Sequence, residues 1–181
     1  HKAAIVGGIE NAISASPWAN IVGGRQNAIS GSWYGTIAGG YLNEITGSKS
    51  FIGGGKGNKV KGRPGNVDVV NTIVGGLTNT LSGEVGFIGG GQNNTATGNY
   101  NTIVGGNANA ISANAFTTSR NFIGGGNVNS VTGNYSSVVG GAANSVCAEA
   151  GFVGGGINNL NQSGYGTIGG GYQNRIWITD A

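Results

Sequence analysis

The sequence is poor in charge, cysteine and methionine, and each shortage excludes a class of protein. Charged residues make up 8% of the 181 residues, where about 25% is usual. The net charge of +3 is too small and too scattered to bind nucleic acid through its phosphates. The single cysteine, Cys147, forms neither an internal disulfide nor a zinc site by itself. Because methionine is absent even at position 1, we expect a processed chain or a segment of a longer one.

Long hydrophobic runs are absent too, whereas glycine is abundant. No apolar stretch approaches the about 20 residues that cross a bilayer as a helix. Glycine accounts for 40 of the 181 residues, about three times its usual share. It does not recur at every third position and there are only 2 prolines, which excludes a collagen triple helix. With 38% hydrophobic residues the chain is not a solvated disordered tail, and we expect an ordered, repetitive structure.

A short motif recurs along the whole chain. Each copy has an aliphatic residue, a small residue, two glycines, two variable residues, an asparagine and a further apolar position two residues later, as in Ile103-Val104-Gly105-Gly106-Asn107-Ala108-Asn109-Ala110-Ile111. The interval from one copy to the next is 15 or 16, except for two longer intervals of 20 and 21. The repeat asparagines are Asn11, Asn27, Asn43, Asn58, Asn79, Asn94, Asn109, Asn129, Asn144, Asn159 and Asn174.

Units of this length predict an all-β fold, a parallel β-solenoid or β-roll built from eleven 15–16-residue Gly-rich repeats. A 15-residue unit is too short to bury its own core, so neighbouring copies must stack, and glycine at this density disfavours helices. We expect one domain over residues 1–181, with inserts at about 61–71 and 113–121. The positions six before and two after each repeat asparagine are predicted to point inward.

The repeat asparagines predict a structural ladder. Asparagine tolerates the left-handed backbone region, so we expect this conformation for it at a corner of each coil. Its side-chain amide is expected to hydrogen-bond the equivalent residue one coil above.

A second pattern, with a period of two repeats, is superimposed on the basic repeat. From Phe51 onward the position seven before the asparagine alternates between Phe and Thr or Ser, and Gly alternates with Val two positions later as far as Val139. This pairing of a large residue with a small one suggests volume compensation between adjacent coils or adjacent chains. It is equally compatible with a 15-residue coil and with a 30-residue coil that contains two copies. At about 4.8 Å per coil, the stack would be about 50 Å long in the first case and half that in the second.

The repeat resembles the head repeat of YadA-like trimeric autotransporter adhesins. The likeness covers nearly the whole chain and is clearest in Gly91-Gln92-Asn93-Asn94-Thr95-Ala96-Thr97-Gly98 and Gly126-Asn127-Val128-Asn129-Ser130-Val131-Thr132-Gly133. Similar Gly-rich coils occur in phage tail fibres. The resemblance implies a parallel homotrimer of left-handed β-rolls, displayed on a bacterial surface and binding host matrix or other cells. The family's coils are slightly shorter than the repeats of this chain.

The residues needed for catalysis or for holding a cofactor are not grouped in the sequence. The six acidic residues are well separated, which argues against a paired-carboxylate hydrolase. The Gly-Gly-Gly triplets lack the Lys-Ser/Thr that follows in a phosphate-binding loop. Calcium-binding β-rolls need an aspartate in each repeat, and this chain contains two in all. We therefore expect no enzyme activity, no cofactor and no metal site.

Exposed aromatic residues and the two inserts are the candidate contact sites. Tyr100, Tyr135 and Tyr165 lie six residues after a repeat asparagine, as does Trp33, and Trp18 lies seven after. Such rings stack on sugars, anchor a protein partner, or seal an interface between subunits, and we favour the last role. The full candidate set is Trp18, Trp33, Tyr100, Tyr135 and Tyr165, with Arg63, Phe116 and Arg120 from the inserts.

Taken together, the sequence predicts a non-enzymatic, extracellular fibre or head domain that attaches to surfaces or glycans. Its expected partners are copies of itself, as a homotrimer, and a host or environmental glycan or matrix protein. Nucleic acid and a membrane span within this segment are not expected. The expected location is extracellular or the bacterial cell surface, or else a virion fibre. The main alternative is a protomer that stacks end to end into a filament without a specific ligand. A phage tail-fibre segment and an ice-binding solenoid rank below it.

Overall fold

The computed structural model describes residues 2–62, 70–113 and 119–177. Over these ranges the chain is a β-solenoid of eleven coils, each adding one short strand to each of two parallel sheets. No helix occurs among the described residues. The predicted all-β parallel solenoid is therefore confirmed.

Sheet 1 contains the strand that begins each coil, just before the two glycines. Its strands, in spatial order, are β1 (Ala4–Ile5), β3 (Asn20–Ile21), β5 (Thr36–Ile37), β7 (Phe51–Ile52), β9 (Val70–Ile73), β11 (Val85–Ile88), β13 (Asn101–Ile103), β15 (Phe122–Ile123), β17 (Ser137–Val138), β19 (Phe152–Val153) and β21 (Thr167–Ile168).

Sheet 2 contains the strand that follows each repeat asparagine. Its strands, in spatial order, are β2 (Ala12–Ser14), β4 (Ala28–Ser30), β6 (Glu44–Ile45), β8 (Lys59–Lys61), β10 (Thr80–Ser82), β12 (Thr95–Thr97), β14 (Ala110–Ser112), β16 (Ser130–Val131), β18 (Ser145–Val146), β20 (Leu160–Asn161) and β22 (Arg175–Ile176).

Each copy of the repeat forms one complete coil. In sheet 1, Ile88 pairs with Ile103, and Ile103 pairs with Ile123 across the second insert. In sheet 2, Ala96 pairs with Ile111 in the same way. Because neighbouring strands are one repeat apart and not two, one coil corresponds to one 15-residue repeat, and the 30-residue coil is excluded.

The core is a double column of aliphatic side chains between the two sheets. Ile103 and Ile111 are both fully buried, and the equivalent residues of the neighbouring coils are buried with them. The second column also contains Asn161, whose side chain is fully buried. Its Nδ2 donates to the Gly166 carbonyl at 2.6 Å, so the polar group is satisfied inside the coil. The two inward-pointing columns are as predicted from the sequence.

The repeat asparagines form a continuous ladder, which is buried from Asn27 to Asn159. The Oδ1 of Asn109 accepts a hydrogen bond from the backbone N–H of Asn129 at 3.0 Å. Its Nδ2 donates to the carbonyls of Gly105 and Gly126 at 2.9 and 3.0 Å. The same pattern recurs from coil to coil, so each asparagine closes its own corner and joins it to the next coil. The expected ladder is confirmed, with the main partner being the backbone of the next asparagine.

The left-handed backbone conformation falls one residue earlier than predicted. Asn109 and the other repeat asparagines have ordinary φ values, whereas the preceding residue, such as Ala108 with φ of 53° or Val128 with φ of 57°, is left-handed. This corrects the expectation for the asparagines. The reason is that their side chains must point inward to reach two carbonyls, and the residue before them makes the turn.

Candidate functional site

The outer face of sheet 1 carries no charge along its whole length. Along each strand of this sheet the core residue is flanked by two outward positions. Over all eleven coils these two positions hold only Phe, Val, Thr, Ser, Ala, Asn and Gly. The four Phe side chains are 36–38% exposed, and Val104 and Val139 are about half exposed. We call this surface the Phe face.

The alternation of Phe and Gly on this face is a packing arrangement within one coil. A Cβ placed on Gly89 would lie 3.3 Å from the Phe87 ring and 2.3 Å from the Val104 carbonyl oxygen. The ring therefore lies across the glycine of its own coil, and the next coil fills the same area with Thr102 and Val104. The volume compensation inferred from the sequence is present. It keeps the total volume of the two outward side chains similar from one coil of the Phe face to the next.

The outer face of sheet 2 is small and polar. Its outward positions are mostly Ala, Ser and Thr. Lys59 and Glu44 form an ion pair of 3.3 Å across adjacent coils, with both side chains about half exposed. The free Cys147 is also exposed on this face. The two sheets therefore present different surfaces to solvent.

A third surface follows the corner that leads into sheet 1. At this corner the residue three before the core Ile or Val is left-handed in most described coils, with φ between 47° and 61°. Its backbone N–H bonds to the coil before it, as in Tyr135 to Ser119 and Ala150 to Asn134 at 2.6 and 2.8 Å. We call this line of residues the corner column. Its left-handed members are Trp18, Tyr34, Lys49, Tyr100, Arg120, Tyr135, Ala150 and Tyr165.

Trp18 and Trp33 form an aromatic cluster at the N-terminal end of the corner column. The Trp18 ring stacks on Tyr34, with centroids 5.3 Å apart and planes 8° apart. Trp33 meets Trp18 edge to face at 6.1 Å. Tyr34, and not Trp33, therefore occupies the column, because the Tyr34 N–H bonds to the Pro17 carbonyl. Placing Trp33 in register with the later tyrosines was wrong.

Arg120 joins two of the candidate tyrosines. Its guanidinium carbon lies 5.6 Å from the Tyr100 ring centroid and 5.8 Å from that of Tyr135. Both distances lie within the range of cation–π attraction. Two of the edge tyrosines and a residue of the second insert thus form one continuous stack.

Tyr165 lies two coils beyond Tyr135, with Ala150 between them. The Tyr165 side chain is 81% exposed, against 46% for Tyr100 and Tyr135. The difference follows from the neighbours, since Arg120 covers a face of each of the other two rings and Ala150 carries only a methyl group.

Sequence reasoning missed Tyr34, Lys49 and a second mixed stack. At the opposite corner the Tyr41 ring has Arg25 on one side at 5.8 Å and Lys56 on the other at 5.6 Å. The sequence does contain a signal that identifies the missed members of the corner column, namely their distance from the next core residue. Counted back from the following core aliphatic residue they fall in register, whereas counting forward from the asparagine fails where a coil contains an extra residue or an insert.

Two candidate residues lie outside the described residues, namely Arg63 and Phe116. Most of both inserts, including residues 63–69 and 114–118, falls in the same category. Their predicted recognition role stays a prediction, as do the contact roles of the edge aromatics.

Within residues 2–62, 70–113 and 119–177, no group of three or more His, Cys, Asp or Glu side chains is placed to hold a metal ion. The same part of the chain contains no helix that is long and apolar enough to cross a membrane.

Comparison with known protein families and with curated proteins returns no match for this chain.

Proposed function

We propose that the chain is a non-catalytic structural and adhesive segment of an extracellular fibre or head. In this proposal three copies pack in parallel through their Phe faces. The corner columns then lie outside, and their tyrosines have an adhesive role in place of the interface role favoured from the sequence. The observation that carries it is the Phe face, which is charge-free over all eleven coils. An uncharged surface of this length that exposes Phe and Val side chains is uncommon on a monomer and favours an interaction site.

A second copy of the chain fits the Phe face better than an unrelated protein does. Phe recurs on every second coil from Phe51 to Phe152, which is a spacing of about 9.6 Å. A parallel copy has the same spacing over the same length, so its side chains stay in register with this one. Because the face carries no charge, closing such an interface avoids the large cost of desolvating ionised side chains.

The likeness of the repeat to YadA-like heads and phage fibre coils supports a trimer on a cell or virion surface. A filament of end-to-end protomers is the main alternative, and an ice-binding role is weaker. Thr36, Thr72 and Thr102 share a column on the Phe face but alternate with Phe51 and Phe87, so the threonines do not form a continuous rank.

Replacing Thr102 with Lys tests the assembly. Thr102 lies between Phe87 and Phe122 on the Phe face, and an ammonium group buried there would lack a partner. We expect the wild-type particle to have about three times the chain mass of 17.9 kDa by light scattering, and Thr102→Lys to dissociate it.

The matched control is Ser112→Lys, an outward position on sheet 2, which is expected to leave the trimer intact. A monomeric wild type would contradict the trimer. Long fibres that persist in Thr102→Lys would favour the filament alternative.

Replacing Tyr100, Tyr135 and Tyr165 together with Ala tests the adhesive role. We expect the particle mass to stay the same, while attachment to cells, immobilised glycans or matrix protein falls about tenfold or more, since exposed aromatic anchors carry much of a contact's binding energy. The control replaces Tyr41 and Tyr172 on the opposite corner. If the triple variant loses assembly instead of attachment, the tyrosines seal subunits and their adhesive role is wrong.

A further inference from the structure

The corner column contains one complete cation–aromatic sandwich. Tyr100 and Tyr135 are two coils apart, and the guanidinium group of Arg120 fills the space between their rings at 5.6 and 5.8 Å. The backbone of Arg120 is left-handed, like those of Tyr100 and Tyr135. All three side chains therefore project from their coils in the same direction.

The next two coils repeat this geometry with a small residue in the middle. Tyr135 and Tyr165 are again two coils apart, and Ala150 occupies the position that corresponds to Arg120. The φ values of Tyr135, Ala150 and Tyr165 are 56°, 51° and 60°. Two coils correspond to about 9.6 Å, and Ala150 carries only a methyl group where Arg120 carries a guanidinium group, so we expect room for a planar cation between the two rings. We call it the Tyr135–Tyr165 slot.

An acidic residue precedes the small residue of the slot. Glu149 immediately precedes Ala150, is exposed, and its carbonyl accepts the Tyr165 N–H at 3.0 Å. Among the described residues the Glu149 carboxylate has no ion-pair partner. Two tyrosine rings with a neighbouring carboxylate form a site that favours a cation.

We infer that the Tyr135–Tyr165 slot binds the guanidinium group of an arginine side chain on a protein partner. The inference deepens the proposed adhesive function and rests on it for the identity of the partner, whereas the site itself follows from the coil geometry. Arginine is selected over lysine because its planar group stacks between rings and forms paired hydrogen bonds with a carboxylate. A guanidinium group would use both the ring faces and the charge of the carboxylate, whereas a neutral sugar would gain hydrogen bonds from Glu149 but no charge attraction.

The other charge near the slot is Arg120, on the far face of Tyr135. It lies two coils from the centre of the slot, about 9.6 Å away. This is beyond the screening length of about 8 Å at physiological salt. Glu149 is on the same coil as Ala150, so it is the nearer of the two charged residues along the stack.

The first test fills the slot from within the chain. Ala150→Arg recreates the Arg120 sandwich two coils further along the stack, in the left-handed backbone conformation that Arg120 already adopts. This variant is expected to raise the thermal unfolding midpoint by a few degrees. Ala143→Arg is the matched control. Ala143 is also left-handed, with φ of 54°, but its neighbours in the adjacent coils are Val128 and Asn158, so no stabilisation is expected.

The second test adds the cation from outside. Titration of ¹⁵N-labelled protein with N-acetyl-arginine methylamide is expected to give saturable amide shifts at Glu149, Ala150 and Tyr165, with a Kd on the order of 10 mM. Ala150→Arg should weaken binding at least tenfold, Glu149→Gln about threefold, and Ala143→Arg not at all. The neutral citrulline analogue should not bind.

Equal shifts with the citrulline analogue, or binding that survives Ala150→Arg, would overturn the inference. Saturable shifts with a monosaccharide in place of arginine would reassign the slot to glycan. These outcomes are separate from a failure of the proposed function. A chain with no adhesive partner still binds the arginine probe, and an adhesive chain without this slot still attaches in the cell and matrix assays.

Discussion

Gly106→Ala is expected to lower the free energy of unfolding by more than about 4 kcal/mol, because the added Cβ meets the backbone of the next coil. Gly106 has φ of +93°, and a Cβ there would lie 2.2 Å from the Gly126 carbonyl oxygen and 2.5 Å from the Asn109 Nδ2. Neither atom can move without breaking the asparagine ladder. The measurement is chemical unfolding followed by circular dichroism, with amide exchange to show which coils open.

Gly105→Ala is the matched control for this prediction. The atom nearest to a Cβ on Gly105 is 3.9 Å away, and the residue is not left-handed, so a change of no more than about 1 kcal/mol is expected. Since each coil contacts only its neighbours, Gly106→Ala should also increase amide exchange in the coils on either side of it. If the two variants unfold at the same denaturant concentration, the close approach of the coils described for Gly106 is wrong.

Asn109→Ala is expected to destabilise the protein by about 3–5 kcal/mol, because it leaves buried backbone groups without hydrogen bonds. The Asn129 N–H and the Gly105 carbonyl each lose their contact with the side chain. The Gly126 carbonyl keeps one bond, from the Asn107 N–H at 2.9 Å, and loses the other. The same unfolding measurement applies.

The control lies two residues away on the surface. Asn107 is exposed, and its Nδ2 makes one hydrogen bond, to Asn127 at 2.8 Å. Asn107→Ala is therefore expected to cost no more than about 1 kcal/mol. An Asn109→Ala protein as stable as Asn107→Ala would show that the ladder contributes little to stability.

Most of the fold was predictable because, in a stack of coils, positions that recur with the sequence period form columns of equivalent residues. Ile103 and Ile111 stand in the core for the same reason as their equivalents in every coil, since parallel coils in register place equal positions above one another. The asparagine ladder followed from the same logic. The conformation of Asn109 did not, because its two carbonyl partners, which fix the direction of its side chain, come from two different coils.

The candidate contact surfaces were predictable only in part. Tyr100 and Tyr135 were identified from their spacing to the repeat asparagines, and Arg120 was identified as a residue of the second insert. Their contact appears only in the structure, which places Arg120 in the coil between the two tyrosines. Trp33 was placed in the wrong column because its coil is one residue longer at the corner. Tyr34, which holds that place, was missed for the same reason.

Composition and spacing left open whether a coil contains one copy of the repeat or two, but the sequence by itself determined the 15-residue period, the β-solenoid and the inward columns. These properties depend on composition and spacing, which repeat in every coil. The tertiary structure decided which residues meet at the corners. Coil length and inserts vary there, and a ring stacks on a guanidinium group only when two particular side chains leave adjacent coils in the same direction. The Tyr135–Tyr165 slot is also something that only the tertiary structure decided, since three successive coils contribute Tyr135, Ala150 and Tyr165.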